Sequence, residues 1–219
     1  MEDCLQTDLQ FRKVLVPVRI IYILAGLILA GMGAAEHSWY KILVSLSTIL
    51  LIPGIWLARR MFRWKGGWQI ECYVYLFSFL GWTLGGAGLV YDLVPHFDKL
   101  VHCLSGLFVS VLILALYRVL EGHRKDENRA TPCLFVFFGS MAVAGMFELC
   151  EFALAPVMGR DLQHVLETGV TDTMMDILVC MIGTIVYILL MLRASKGKHD
   201  PLTDAAEAFG YQNRLKKGD

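Results

Sequence analysis

The run from Thr173 to Arg193 reads TMMDILVCMIGTIVYILLMLR, a stretch whose only charge before the closing arginine is Asp176. Its length is close to the roughly 20 residues an α-helix needs to cross the hydrocarbon of a bilayer. Working back along the chain, comparable apolar stretches cover about 14–35, 42–58, 70–91, 100–117 and 132–157. This pattern predicts an all-α, polytopic membrane bundle. Residues 1–193 would form a transmembrane domain of six helices and residues 194–219 a polar cytoplasmic tail. Composition agrees: 56% of the 219 residues are hydrophobic and 18% charged, more apolar surface than a soluble domain of this size could bury. The small residues Gly31 to Ala35 resemble a signal-peptidase site, but a long run and two acids precede them, so the segment reads as a span. The formal net charge of zero argues against nucleic acid as a partner. Cys4, Cys72, Cys103, Cys133, Cys150 and Cys180 are scattered without a CxxC pair and read as packed thiols rather than disulfides or metal ligands.

The basic residues set the orientation. Arg12 and Lys13 precede the first stretch, and Arg59, Arg60, Arg63 and Lys65 follow the second. Arg118, Arg124, Lys125 and Arg129 follow the fourth; Arg193, Lys196, Lys198, Arg214, Lys216 and Lys217 follow the sixth. The opposite loops hold only Lys41, Lys99 and Arg160, and Arg19 lies within the first stretch, near enough its basic end to snorkel. By the positive-inside rule both termini are cytoplasmic, and the loops Asp92–Lys99, His37–Lys41 and Arg160–Thr171 are outside.

The first three stretches read as scaffold. Pro53-Gly54 predicts a kink. Gly81, Gly85, Gly86 and Gly88 permit close approach of another helix. Glu71 suits a helix N-terminus, and Trp39, Trp64 and Trp68 suit the interfaces. In the tail, Leu202, Ala205, Ala206 and Phe209 fall at helical spacing after a cap at Asp200 or Thr203, although a polar end is expected to be disordered. His37, His123, His164 and His199 read as solvated.

Three short segments carry the chemistry: His96-Phe97-Asp98-Lys99-Leu100-Val101-His102, Phe147-Glu148-Leu149-Cys150-Glu151-Phe152 and Thr171-Asp172-Thr173-Met174-Met175-Asp176. Ionisable groups inside spanning helices are costly and point to function. The fourth stretch runs inward, so Asp98 and His102, four residues apart, share one of its sides. The fifth runs outward from Pro132, and Glu148 lies about 24 Å along it, roughly 6 Å short of the far boundary of a ~30 Å core. The sixth starts outside, with Asp176 about 6 Å deeper than Asp172. Depth therefore predicts that His102, Glu148 and Asp176 converge at the base of an outward-facing pocket, with Asp98, Glu151 and Asp172 around its mouth. The same layer holds Glu36, Asp92, Asp161 and Glu167 as well, so carboxylates far outnumber cations there. Packed like charges cannot all stay ionised without a bound cation, shared protons or a cationic ligand. Carboxylate with imidazole suits zinc or another transition metal; carboxylates alone suit calcium or magnesium. Ser105, Gly106 and Gly183 read as packing residues for the fourth and sixth stretches.

At these residues the chain resembles the YjdF-type inner-membrane protein family and, more distantly, the VanZ-like proteins, over about residues 91–190. The matching elements are Phe97-Asp98-Lys99-x-x-His102 with Gly106, Phe147-Glu148-x-x-Glu151-Phe152, and Gly169 followed by Asp172-Thr173-x-x-Asp176 and Gly183. VanZ-like proteins share Asp-Lys-x-x-His but usually have Gln where Glu151 stands and Asn where Asp176 stands. The resemblance implies a small multi-pass protein of a bacterial-type inner or plasma membrane. VanZ-like relatives are linked to low-level resistance to lipophilic glycopeptides, which implies a role at the outer leaflet or envelope.

The functional expectation is a site in the outer leaflet that handles a membrane lipid or a lipid-linked envelope molecule. Asp98, His102, Glu148, Glu151, Asp172 and Asp176 would hold a divalent cation of open identity or poise a water. Lys99 and His96 would meet the substrate, with Lys99 free for a phosphate. Whether a reaction is catalysed stays open, as does the oligomeric state. The alternatives are a proton- or cation-coupled transporter, although a one-sided cluster without repeats is unusual for one, and a structural partner subunit.

Overall fold

The computed structural model describes residues 1–88, 90–122 and 128–214, with the backbone alone for Asp92. His123, Arg124, Lys125, Lys216, Lys217 and the side chain of Asp92, all weighed above, lie outside the described residues. In chain order the elements are α1 (Glu2–Ala35), α2 (Trp39–Ile49), α3 (Leu51–Phe62), α4 (Trp68–Ser78), a π-helical segment (Phe79–Ala87), α5 (Val90–Leu93), α6 (Phe97–Glu121), α7 (Ala130–Met158), α8 (Val165–Thr168), α9 (Thr171–Ala194) and α10 (Pro201–Asn213). Among the described residues there is no strand, and five helices are long and apolar enough to cross a membrane: α1, the α2–α3 pair, α6, α7 and α9.

The third apolar stretch departs from a simple helix. Its α-helical turns give way at Phe79 to the wider π geometry, over the segment that contains Gly81, Gly85 and Gly86. Glycine weakens α-helix, and bulky neighbours occupy the space its side chain would need. A Cβ on Gly85 would meet the Tyr91 ring, and one on Gly81 would meet Val101. The α2–α3 break falls where Pro53 predicts it: lacking an N–H, Pro53 cannot bond the Ile49 carbonyl, and α2 ends at Ile49.

One end of the bundle is tied by polar contacts among the basic segments. Helix α1 begins at Glu2, well before the apolar run, and its 34 residues span about 51 Å. Its extra turns carry Asp8, whose buried carboxylate accepts from Gly67 N and Gln69 N, both at 2.9 Å, and so caps α4. Arg19 does not stand alone at its interface. It pairs with Glu71, and Arg59 Nε reaches the other oxygen of Glu71 at 3.0 Å. The arginine–carboxylate–arginine arrangement buries Glu71 and locks α1, α3 and α4 together.

Over Pro201–Asn213 the tail is helical rather than disordered. Asp200 accepts from Thr203 N at 2.8 Å and starts α10, whose Ala205, Ala206 and Ala208 are buried against the bundle. Arg118 Nε donates to Glu207 at 2.8 Å, and Lys65 and Asn213 exchange hydrogen bonds. Gln69 also donates to the Pro201 carbonyl at 3.1 Å. Small apolar residues on one side of α10 gain enough contact with α6 to order a segment that is otherwise polar.

Helices α6, α7 and α9 pack mutually. In the parallel pair α6 and α9, Gly106 lies against the Cys180 carbonyl and Gly183 against the Cys103 carbonyl, so closely that a Cβ at either glycine would strike main chain. Gly106 and Gly183 are packing residues, as their spacing predicts. Beside them Ser140 Oγ and Thr184 Oγ1 lie 2.8 Å apart, and Ser110 Oγ donates to the Gly106 carbonyl at 2.5 Å. These three hydroxyl residues are fully buried and join α6, α7 and α9. Cys72 and Cys180 are buried and Cys150 is exposed.

Candidate cation-binding site

Antiparallel α7 brings its last third beside the first turns of α6 and α9, at the end opposite α10. Because α6 and α9 run side by side in parallel, Asp98, Lys99 and His102 face Asp172 and Asp176 at matching heights. The result is two overlapping groups that share Asp176. One ligand atom each from His102, Glu148 and Asp176 lie within 4.8 Å of one another, and so do those of Asp98, Asp172 and Asp176.

The first group is the more enclosed. Glu148 is 5% exposed and Asp176 3%, while His102 is half-buried with its ring edge-on to Phe147. His102 Nε2 stands 3.8 Å from Asp176 Oδ1. Glu148 has one satisfied oxygen: Oε2 accepts from Gln163 Nε2 at 3.1 Å. Its other oxygen, Oε1, is buried and has no hydrogen-bond partner among the described residues. A buried acceptor without a partner costs about 1–3 kcal/mol, more if charged. The arrangement therefore favours a cation or a proton at that oxygen.

The second group is already occupied by a charge from the chain itself. Lys99 Nζ lies 3.0 Å from Asp98 Oδ2, 2.9 Å from Asp176 Oδ1 and in contact with Asp172 Oδ1. The expectation that Lys99 is free for a phosphate is corrected: its three N–H donors meet three carboxylates. The ammonium pairs with three carboxylates, and Glu148 and Glu151 on α7 add two more acids to the three segments, so carboxylates still outnumber the cation.

Two of the expected residues stand apart. Glu151 is half-buried one turn beyond Glu148 and belongs to neither group. His96 is exposed, holds a left-handed backbone (φ 61°) at the start of α6 and is likewise outside both groups. Gln163 was not singled out by its sequence, because an amide in a polar loop carries no periodic or motif signal. It is only 9% exposed, and its Nε2 also lies 3.2 Å from the Glu148 carbonyl and 3.2 Å from Thr173 Oγ1, joining the α7–α9 connection to both helices. Asp161 supports that connection by accepting from Val165 N and Leu166 N at 3.0 and 2.8 Å.

The layer therefore sets an imidazole and two carboxylates within 4.8 Å of one another, beside an ammonium that is already paired. The model of a family described as predicted membrane proteins, DUF2238, matches residues 17–197, which takes in every residue of both groups. No curated protein and no solved structure matches the chain.

Proposed function

We propose, for a chain that belongs to the DUF2238 family of predicted membrane proteins, a six-span protein with both termini in the cytoplasm and a divalent-cation site in its outer leaflet. The sixth span is the composite of α4 and the π-helical segment, Trp68–Ala87. The gathering of the amino terminus, the Arg63–Gly67 turn, the end of α6 and α10 at one end supports the orientation read from the basic residues.

The observations that carry the proposal are the convergence of His102, Glu148 and Asp176 from three helices and, on the same Glu148, a buried oxygen without a hydrogen-bond partner among the described residues. A neutral imidazole with two carboxylates offers a charge of −2, which a divalent ion balances. Mixed nitrogen and oxygen ligands suit zinc, manganese or ferrous iron better than calcium. Three protein ligands leave coordination positions for an outside oxygen. In the outer leaflet the natural source of that oxygen is the phosphate of a lipid or lipid-linked envelope headgroup. The likeness of Asp98-Lys99-x-x-His102 to VanZ-like proteins is the ground for choosing an envelope ligand. Tight glycine packing and buried hydroxyls beneath the site favour a one-sided binding site over a path through the membrane.

The test is elemental analysis and thermal unfolding of protein purified without chelator, with Zn2+, Mn2+ and Mg2+ added singly. Glu148→Gln keeps the side-chain shape and should remove metal binding while leaving the fold. A wild-type protein that carries no stoichiometric metal and gains no stability from any of the three ions ends the metal reading. Metal binding without metal-dependent retention of phospholipid ends the headgroup reading alone.

A further inference from the structure

Lys99 is the unexpected member of the acidic layer. It sits on the same face of α6 as His102, three residues away, and both side chains point at one atom, Asp176 Oδ1, at 2.9 Å from Nζ and 3.8 Å from Nε2. In the group around the ammonium, as in the group of His102, Glu148 and Asp176, one ligand atom from each residue lies within 4.8 Å of the others. The two groups are joined by one buried carboxylate. That is the plan of a two-metal centre, in which ions about 3.5–4 Å apart share bridging oxygens. Here one of the two positions holds a positive charge tethered to the chain.

We infer that Lys99 is the second cation of a two-cation centre, filling the Asp98–Asp172–Asp176 position and so limiting the protein to one divalent ion, at His102–Glu148–Asp176. This rests on the metal reading above and adds to it what fixes the stoichiometry. The ammonium supplies one charge and three hydrogen bonds, enough to satisfy one oxygen from each of the three aspartates. It also draws Asp176 away from full donation to a metal, because the same oxygen serves both partners. With the ammonium gone, three aspartates would face one another with no cation between them, the arrangement that most strongly recruits a second ion. The free energy at stake is large because charges within about 4 Å in a partly desolvated site interact far more strongly than in water.

The experiment is Mn2+ titration of the purified full-length protein, followed by calorimetry and by electron paramagnetic resonance, for wild type, Lys99→Met and Lys99→Arg. The wild type should bind one Mn2+ with the spectrum of an isolated ion. Lys99→Met should bind two, with the broadened spectrum of an exchange-coupled pair, and Lys99→Arg, which keeps the charge, should bind one. Should Lys99→Met prove unstable, its melting temperature should rise with Mn2+ by more than that of the wild type. A Lys99→Met protein that binds a single Mn2+ at wild-type affinity, or whose instability no divalent ion relieves, overturns the inference and leaves the metal site standing. Failure of all three proteins to bind Mn2+ overturns both.

Discussion

Alanine at Gly183 or Gly106 is the sharpest probe of how the site is held. At Gly183 the new Cβ runs into the Cys103 carbonyl, with Leu107 N 3.1 Å behind it; at Gly106 it runs into the Cys180 carbonyl, with Thr184 N at 3.0 Å. Every obstructing atom is main chain, so no side chain can swing away, and α6 and α9 must part by on the order of 1 Å. Overpacking of this kind costs about 1–3 kcal/mol. Close to 1 kcal/mol returns, because alanine is the better helix former. A net loss of up to roughly 2 kcal/mol is expected for each substitution. The two contacts lie at one level of one interface, so the separation that relieves one relieves the other. The double variant should therefore fall short of the sum by about 1 kcal/mol. Parting the helices also stretches the 3.8 Å His102–Asp176 and 2.9 Å Lys99–Asp176 distances, so metal-induced stabilisation should fall with the fold. The assay is reversible unfolding in mixed detergent, followed by tryptophan fluorescence, with Gly31→Ala and Gly145→Ala as controls. A Cβ at either control position has nothing within 4 Å, so those variants should be neutral or slightly stabilising. Gly106→Ala and Gly183→Ala as mild as the controls, or fully additive in the double variant, would refute the close-packing argument.

Two further outcomes are expected. Glu71→Ala strands Arg19 and Arg59 together, and should destabilise the protein by about 2–4 kcal/mol in the same unfolding assay, the lower figure reflecting the partial exposure of Arg19; a loss below about 0.5 kcal/mol would show the pairing to be incidental. Reporter fusions at Gly66 and Gly122 should read cytoplasmic and one at Gln163 extracytoplasmic, whereas swapped signals would move the acidic layer to the inner leaflet.

The apolar runs and the acid-and-histidine segments were legible because both depend on position along a helix. Rise per residue is constant, so counting from the helix ends puts His102, Glu148 and Asp176 at one level before any packing is known, and they do meet. The same counting put Glu151 at the level of Asp98 and Asp172, yet it lies outside both groups of converging ligand atoms, since depth alone does not set the distance between side chains. Lys99 looked free for the same reason: its three partners lie on its own helix and on α9, and only the facing of α6 and α9 brings them together. The pairing of Arg19 with Glu71 and Arg59 was hidden likewise, along with the cap that Asp8 places on α4.

By itself the sequence determined that this is an all-helical membrane protein with acids and a histidine at the ends of its last three apolar runs. Long uninterrupted apolar runs have no other stable home, and a charge within one must be compensated. Tertiary structure alone decided that α10 docks rather than drifts, that Gln163 holds Glu148, and that Lys99 is spent inside the acidic layer. Each of these depends on the rotation of one helix against another and on main-chain contact at Gly106 and Gly183, which hydropathy along the chain does not encode.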